Sequence, residues 1–243
     1  IKHYLMMASP FEYIHSVDRP NIKLIKKYFD DRREKKEWLI EHIQSTAGPG
    51  IVYMQSKKRA DELADHLIQC GIACASYHAG LENEDRQFIQ QQFLNGSLHW
   101  VVATNAFGMG VHKEDIRQVN HESMPATVAN YLQEIGRAGR DGEDAVAIML
   151  MSPQDKELAK FIAEEDLPRD EHIEAYLNNP TQKYDPALFF SEYRMSETIY
   201  RVLQYWLSIE SVEQVKLRLD QMRQTKRFEV EKMAAILEGD DCI

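Results

Sequence analysis

The sequence predicts an α/β fold: a parallel sheet flanked by helices, followed by a mainly α-helical C-terminal region. Two observations carry that expectation. From about residue 50 to 151, short apolar runs alternate with amphipathic stretches of a dozen or so residues, the pattern of βαβ units. After about residue 153 the strand-like runs stop and only helical spacing continues, as in Ile199, Val202, Leu203, Trp206 and Leu207. The expected division is 1–20 as a linker, 21–152 as the sheet-bearing unit and 153–243 as the helical region.

Each element has a local reason. Ser16–Phe29 opens with a proline that favours extended backbone and continues with Ile22 and Leu24, a strand. Asp30–Ser45 is amphipathic: Trp38, Leu39, Ile40 and Ile43 follow the charged run DDRREKKE, which suits a helix start and a solvated face. Ile51–Gln55 reads as a buried strand, and Ser56 as the cap of a helix over Lys57–Gln69 that Gly71 stops. Ile72–His78 is the next strand, Asn83–Asn95 the next helix, with Gly96 after it. Leu98–Ala103 and Ile116–His121 are strands on either side of a glycine-rich turn at 104–111, Thr127–Ile135 is a helix, and Ala145–Met151 is the last strand. Asn178–Pro186 is a loop, and Val212–Leu237 one or two charged helices.

Composition narrows the function classes. No apolar run reaches the roughly 18 residues of a membrane helix. No signal peptide opens the chain, which starts without an initiator Met and reads as a fragment. The net charge of −10 argues against nucleic-acid binding over the whole surface and leaves room for a local groove. Three cysteines, Cys70, Cys74 and Cys242, make no disulfide framework, which fits a reducing cytoplasm.

The chemistry concentrates in Gln133–Gly142, QEIGRAGRDG. Arg137 and Arg140 stand three residues apart among Gly136, Gly139 and Gly142, a spacing that on a helical turn sends both guanidinium groups to one face. A planar five-donor cation suits a polyphosphate whose charge grows during phosphoryl transfer. The plain alternative is a helix end with two solvated arginines, stopped by glycine. Ligands of an open parallel sheet sit at the carboxyl ends of its strands. That rule selects Gln55-Ser56, His78-Ala79-Gly80, the stretch Thr104–Gly110 and the helix leading to Arg140, four loops expected along one edge. Ser56 offers a hydroxyl and helix-start N–H groups, Gly80 a close approach, Thr104 and Asn105 a hydroxyl and an amide, the donors that grip backbone phosphates. His78 reads equally as a turn histidine bonded to backbone or as a nucleic-acid contact. Nothing reads GxxxxGK[ST], and no acidic pair follows an apolar strand, so the chain supplies half of a nucleotide site.

DRPN (Asp18–Asn21), YHAGL (Tyr77–Leu81), VVATNAFGMGV (Val101–Val111) and YLQEIGRAGRDG (Tyr131–Gly142) stand in the order and approximate spacing of the RecQ family of DNA helicases, which residues 16–155 resemble. The resemblance implies the second RecA-like lobe of such an enzyme, with the ATP cradle and the Mg²⁺ carboxylates on a first lobe not contained here. It implies Arg140 as an arginine finger toward the γ-phosphate. Arg137 would be its partner in nucleotide sensing or in a salt-bridge network between lobes. Gln133, Gly110 and His112 fall on the nucleotide side, His112 replacing the acidic or amide side chain common at that point. Ser56, His78, Ala79, Gly80, Thr104 and Asn105 fall where the family's lobe touches single-stranded DNA, and 3′ to 5′ movement is expected. Phe228–Ile243 resembles the first helix of the family's zinc hairpin with Cys242 as first ligand; a lone thiolate does not hold a structural Zn²⁺, so zinc is expected only in a longer protein. An RNA helicase lobe, and a helix-turn-helix in residues 190–235 with Arg223, Lys226 and Arg227 on phosphates, are the alternatives.

Overall fold

The computed structural model describes residues 11, 18–108, 110–179 and 185–239. Six strands run parallel in one sheet: β1 (Ile22–Tyr28), β2 (Gly50–Tyr53), β3 (Cys74–Tyr77), β4 (Trp100–Ala103), β5 (Gln118–His121) and β6 (Ala145–Met151), in the order β1-β6-β5-β2-β4-β3. The pleat sorts their side chains onto two faces. Val52, Trp100, Val102, Ile148 and Leu150 meet Leu39 and Ile43 of α1 (Arg32–Ser45) and Leu63 and Leu67 of α2 (Lys57–Gln69). Ile51, Tyr53, Val101 and Met149 meet α3 (Asn83–Leu94), α4 (Val128–Ile135) and α5 (Asp155–Glu164) through Phe93, Tyr131, Ile135 and Ala159. The parallel α/β lobe is thus the one the alternating pattern predicts.

Helix starts follow side-chain chemistry. Asp31 accepts hydrogen bonds from the N–H groups of Arg33 (2.8 Å) and Glu34 (2.9 Å) at the head of α1. Ser56 caps α2, and Thr127 caps α4 by accepting from the Asn130 N–H at 3.1 Å. The run DDRREKKE departs from its expected solvated role at one place: Lys35 is fully buried, its ammonium 2.8 and 2.7 Å from the two carboxylate oxygens of Asp155. A charge run gives no sign of the acid that awaits one of its members 120 residues away.

Beyond the sheet, α6 (Asp170–Asn178), a π-turn (Pro186–Phe190), the helical turn α7 (Ser191–Tyr193), α8 (Glu197–Ile209) and α9 (Val212–Glu238) follow. Ile173, Phe189, Met195, Tyr200, Leu203, Val215 and Leu219 form a second core. The boundary expected at residue 153 does not separate the cores. Ala159 of α5 lies in the sheet's cluster, and so do Val230, Met233, Ala234 and Leu237 from the far end of α9. One helix of 27 residues, about 40 Å long, is therefore shared by both. The Tyr28 hydroxyl on β1 donates to the Leu237 carbonyl at 2.7 Å and the Lys26 ammonium to that of Gly239, holding its C-terminal end.

The phosphate-facing role expected for the cations of α9 is replaced by internal pairing. Arg223 donates to Asp220 and to the Pro168 carbonyl (2.7 Å), Lys226 to Asp166 (2.7 Å), and Arg227 to Glu164. These contacts bind α9 to the α5–α6 connection, so the helix-turn-helix reading loses the charges it needs. Cys242, the expected zinc ligand, lies outside the described residues.

Candidate nucleotide and nucleic-acid interface

Three of the selected loops do meet at the carboxyl edge of the sheet. The Thr104 N–H donates to the Tyr77 carbonyl at 3.1 Å, which joins the ends of β4 and β3. Lys57, next to the capping Ser56, lies over the His78–Gly80 turn, its Cδ 3.5 Å from where a Gly80 Cβ would stand. Ser56 is half-buried with its hydroxyl on the Arg59 N–H (3.5 Å), Thr104 is buried, and Ala79, Gly80 and Asn105 are exposed.

His78 is buried and both its nitrogens are engaged. The Gly80 N–H donates to Nδ1 (3.2 Å), so the proton sits on Nε2, which faces the Asp61 carboxylate at 3.0 Å. Burial pushes the Asp61 carboxyl up, but hydrogen bonds from Ser76 and His78 outweigh it and hold the group below its ordinary range. Of the two readings of His78, the geometry is that of the turn histidine, a prop for the Gly80 amide.

Between this edge and α4 opens a cleft of about 270 Å³ lined by Gln55, Thr104, Asn105, His121, Ser123 and Glu134. Its floor was not legible beforehand. The His121 ring stacks on Tyr53 (5.3 Å, 22°), meets Tyr131 edge-on, and faces Glu134 through Nε2 at 2.8 Å. Alternation along β5 marks His121 as inward; nothing local marks Glu134, on the next helix, as its partner.

The fourth loop is elsewhere. α4 ends at Ile135, and the chain then turns through Gly136–Gly142. The Gly139 N–H donates to the Ile116 carbonyl (2.8 Å) and the Arg140 N–H to that of Glu114 (2.9 Å), so the arginine turn lies by the amino ends of β5 and β6. A helix that follows a strand carries the chain back, and its C-terminus arrives at the opposite end from its start. The expectation of one shared edge is corrected to two ends, bridged by the segment that leaves β4 at Thr104 and returns to Ile116.

Nor do the arginines share a helical face. Gly139 adopts φ +55° between them, a left-handed step that only glycine takes freely. Arg137 is buried and its Nη1 donates to the Gly108 carbonyl at 2.6 Å, whereas Arg140 is exposed, with only a 3.4 Å contact from Nε to the Gly136 carbonyl. The turn itself is pinned from outside. Arg19 donates to the carbonyls of Ala138 (2.9 Å) and Gly139 (2.6 Å), and Asn21 to those of Gly139 (2.8 Å) and Glu143 (2.9 Å). The DRPN stretch thus closes the arginine turn, a task its own sequence does not announce. Gln133, Gly110 and His112 are exposed, His112 with Nδ1 3.8 Å from the Glu114 carboxylate.

Among the described residues, no group of three His, Cys, Asp or Glu side chains is placed to hold a metal ion. The buried Cys74 thiol is pushed up to about 12 by desolvation, which makes it a packing group. Among the described residues, donors for an anion stand at two places: hydroxyl, amide and N–H groups at the carboxyl edge, and the exposed Arg140 guanidinium on the pinned turn at the other end.

Residues 34–142 match the helicase conserved C-terminal domain. The chain is 35% identical over 251 residues to the probable ATP-dependent DNA helicase RecS of Bacillus subtilis (strain 168), an alignment covering 100% of this chain and 51% of that protein. It is 37% identical over 179 residues to the ATP-dependent DNA helicase RecQ of Pasteurella multocida (strain Pm70), covering 72% of this chain and 28% of that protein. The chain therefore spans about half or less of the length of these relatives. Among solved structures, the E. coli DEAD-box protein SrmB, bound to regulator of ribonuclease activity A, superposes with a TM-score of 0.51 at 26% identity, over 59% of this chain and 84% of that one. With the parallel sheet and the GRAGR turn in place, the chain belongs to the RecQ family of helicases, of which it carries the conserved C-terminal helicase domain.

Proposed function

We propose that this chain is the second motor lobe of an ATP-dependent 3′ to 5′ DNA helicase. Its work is done against a first RecA-like lobe that carries the phosphate cradle and the Mg²⁺ ligands. The observation that carries the reading is the contrast within one turn: Arg140 stands exposed on a backbone pinned by Arg19 and Asn21, a cation held in place but left free to meet an anion on a facing surface. Such a guanidinium stabilises charge that builds on a terminal phosphate and needs no reorganisation to do so. In the same reading Gln133 and Gly110, both exposed, belong to the nucleotide side. Ser56, Gly80, Thr104 and Asn105 offer the donors for single-stranded DNA, with His78 orienting the Gly80 amide. In this reading the chain alone does not hydrolyse ATP, and Zn²⁺ enters only with ligands beyond Cys242.

The test is Arg140→Ala in the full-length protein. ATP turnover is expected to fall by about 10³ or more, with ATP and DNA affinities little changed. Near-normal turnover refutes the assignment. Unwinding of matched DNA and RNA duplexes decides the track, because phosphate grips alone do not distinguish the sugars.

A further inference from the structure

Arg137 carries a charge that the arrangement above does not use. It is buried, three residues from the exposed Arg140, and its Nη1 donates to the Gly108 carbonyl at 2.6 Å. The same carbonyl accepts the Val111 N–H at 3.4 Å, so one oxygen joins the arginine to the turn that follows β4. The fit admits no side chain at this point. A Cβ on Gly108 would stand 1.9 Å from the guanidinium carbon and 2.2 and 2.3 Å from its terminal nitrogens, and Gly108 holds φ +121°. Nε is buried with no partner in the described structure. The socket is therefore held by shape, by a charge-assisted hydrogen bond to the Gly108 carbonyl and by the Tyr53 hydroxyl beside the guanidinium, and it keeps Arg137 buried.

We propose that Arg137 is a positioning residue and not a nucleotide ligand: a strut that fixes the Gly108 carbonyl to the arginine turn. Gly108 lies four residues after Thr104, whose donors sit at the carboxyl edge, while the arginine turn sits at the amino end. The strut spans the two ends, so a shift of Arg140's backbone and a shift of the Thr104–Asn105 donors become one movement. This inference rests on the motor reading and adds to it the link between nucleotide and nucleic-acid sides.

The experiment compares Arg137→Lys and Arg137→Ala with Arg140→Ala in the full-length protein, titrating ATP and an oligo(dT) single strand separately. Lysine keeps the charge and loses the planar fork. For both Arg137 variants, the oligonucleotide concentration giving half-maximal stimulation is expected to rise about tenfold, the weight of one hydrogen bond to a charged group. KM for ATP is expected to move by less than about twofold. Amide exchange at Val111, read without nucleotide or DNA, is expected to accelerate in Arg137→Lys. A rise in KM for ATP with DNA half-saturation and Val111 exchange unchanged overturns the strut and makes Arg137 a nucleotide ligand; no change in any of the three overturns it as well. If Arg137→Ala does not fold, the lysine variant and the exchange measurement decide. Failure of the motor reading looks different: wild-type protein without DNA-stimulated hydrolysis, or Arg140→Ala with normal turnover.

Discussion

Lys35 and the acids around it are charges taken fully out of water. Its ammonium reaches both oxygens of Asp155 and lies 4.0 Å from Glu122, which in turn accepts from Arg59 and from the Ser123 hydroxyl; Asp155 also accepts the Ser152 N–H at 2.6 Å. Burying such charges is tolerable only while every partner remains. Lys35→Met strands the Asp155 carboxylate inside without a cation, while Glu122 keeps Arg59; the expected loss is about 3–5 kcal/mol, measured as a lower urea midpoint at unchanged slope. The sequence hid this residue in a run of eight charges whose other members are exposed, two of them ahead of α1 and five on it. A pattern of spacing can separate inside from outside on average. It does not identify the one lysine whose ammonium finds a carboxylate contributed by another helix, because that pairing is a property of the assembled layers.

At the scale of the element, α6 is fastened by an imidazole that must stay neutral. His172 Nδ1 accepts the Arg169 N–H at 3.1 Å and Nε2 donates to the Tyr193 carbonyl at 3.0 Å. Burial lowers its pKa below the ordinary 6.5, with the Tyr193 carbonyl and Glu171 opposing and Arg169 assisting. Because the folded value lies below the unfolded one, the unfolded chain takes up the proton first. The stability is full above about 6.5 and is lost as pH falls from there through the folded value. The melting temperature is expected to drop between about pH 7 and pH 5, and His172→Gln to flatten that slope. Element positions were the most legible part of the chain, since Ser56, Thr127 and Ser211 cap helices where they stand and Gly71 and Gly96 end them with positive φ. The arginine turn was misplaced for a reason of the same kind: the rule about strand ends was applied to a residue at the far end of the helix that follows.

For the whole molecule, a net charge of −10 beside a proposed DNA track means that attraction is local, made by donors at one edge and one arginine turn. A helical region after the sheet was expected, but not that α9 packs into both the helical cluster and the sheet's, since a helix's sequence shows that it has apolar faces and not which bodies they enter. Thr225 sits between the Leu219 contacts in one core and the Val230 contacts in the other. Thr225→Pro, costing about 3 kcal/mol in a helix interior, is expected to split a single cooperative melting transition into two, followed by calorimetry.

A rod rooted at both ends has no joint. The same helix that packs in the outer core ends at the β1 margin, where Lys26 and Tyr28 grasp the rod's tip. Just upstream of that strand, Arg19 and Asn21 grip the arginine turn. A displacement of the helices is therefore expected to be felt, through contiguous contacts, at the backbone that carries Arg140.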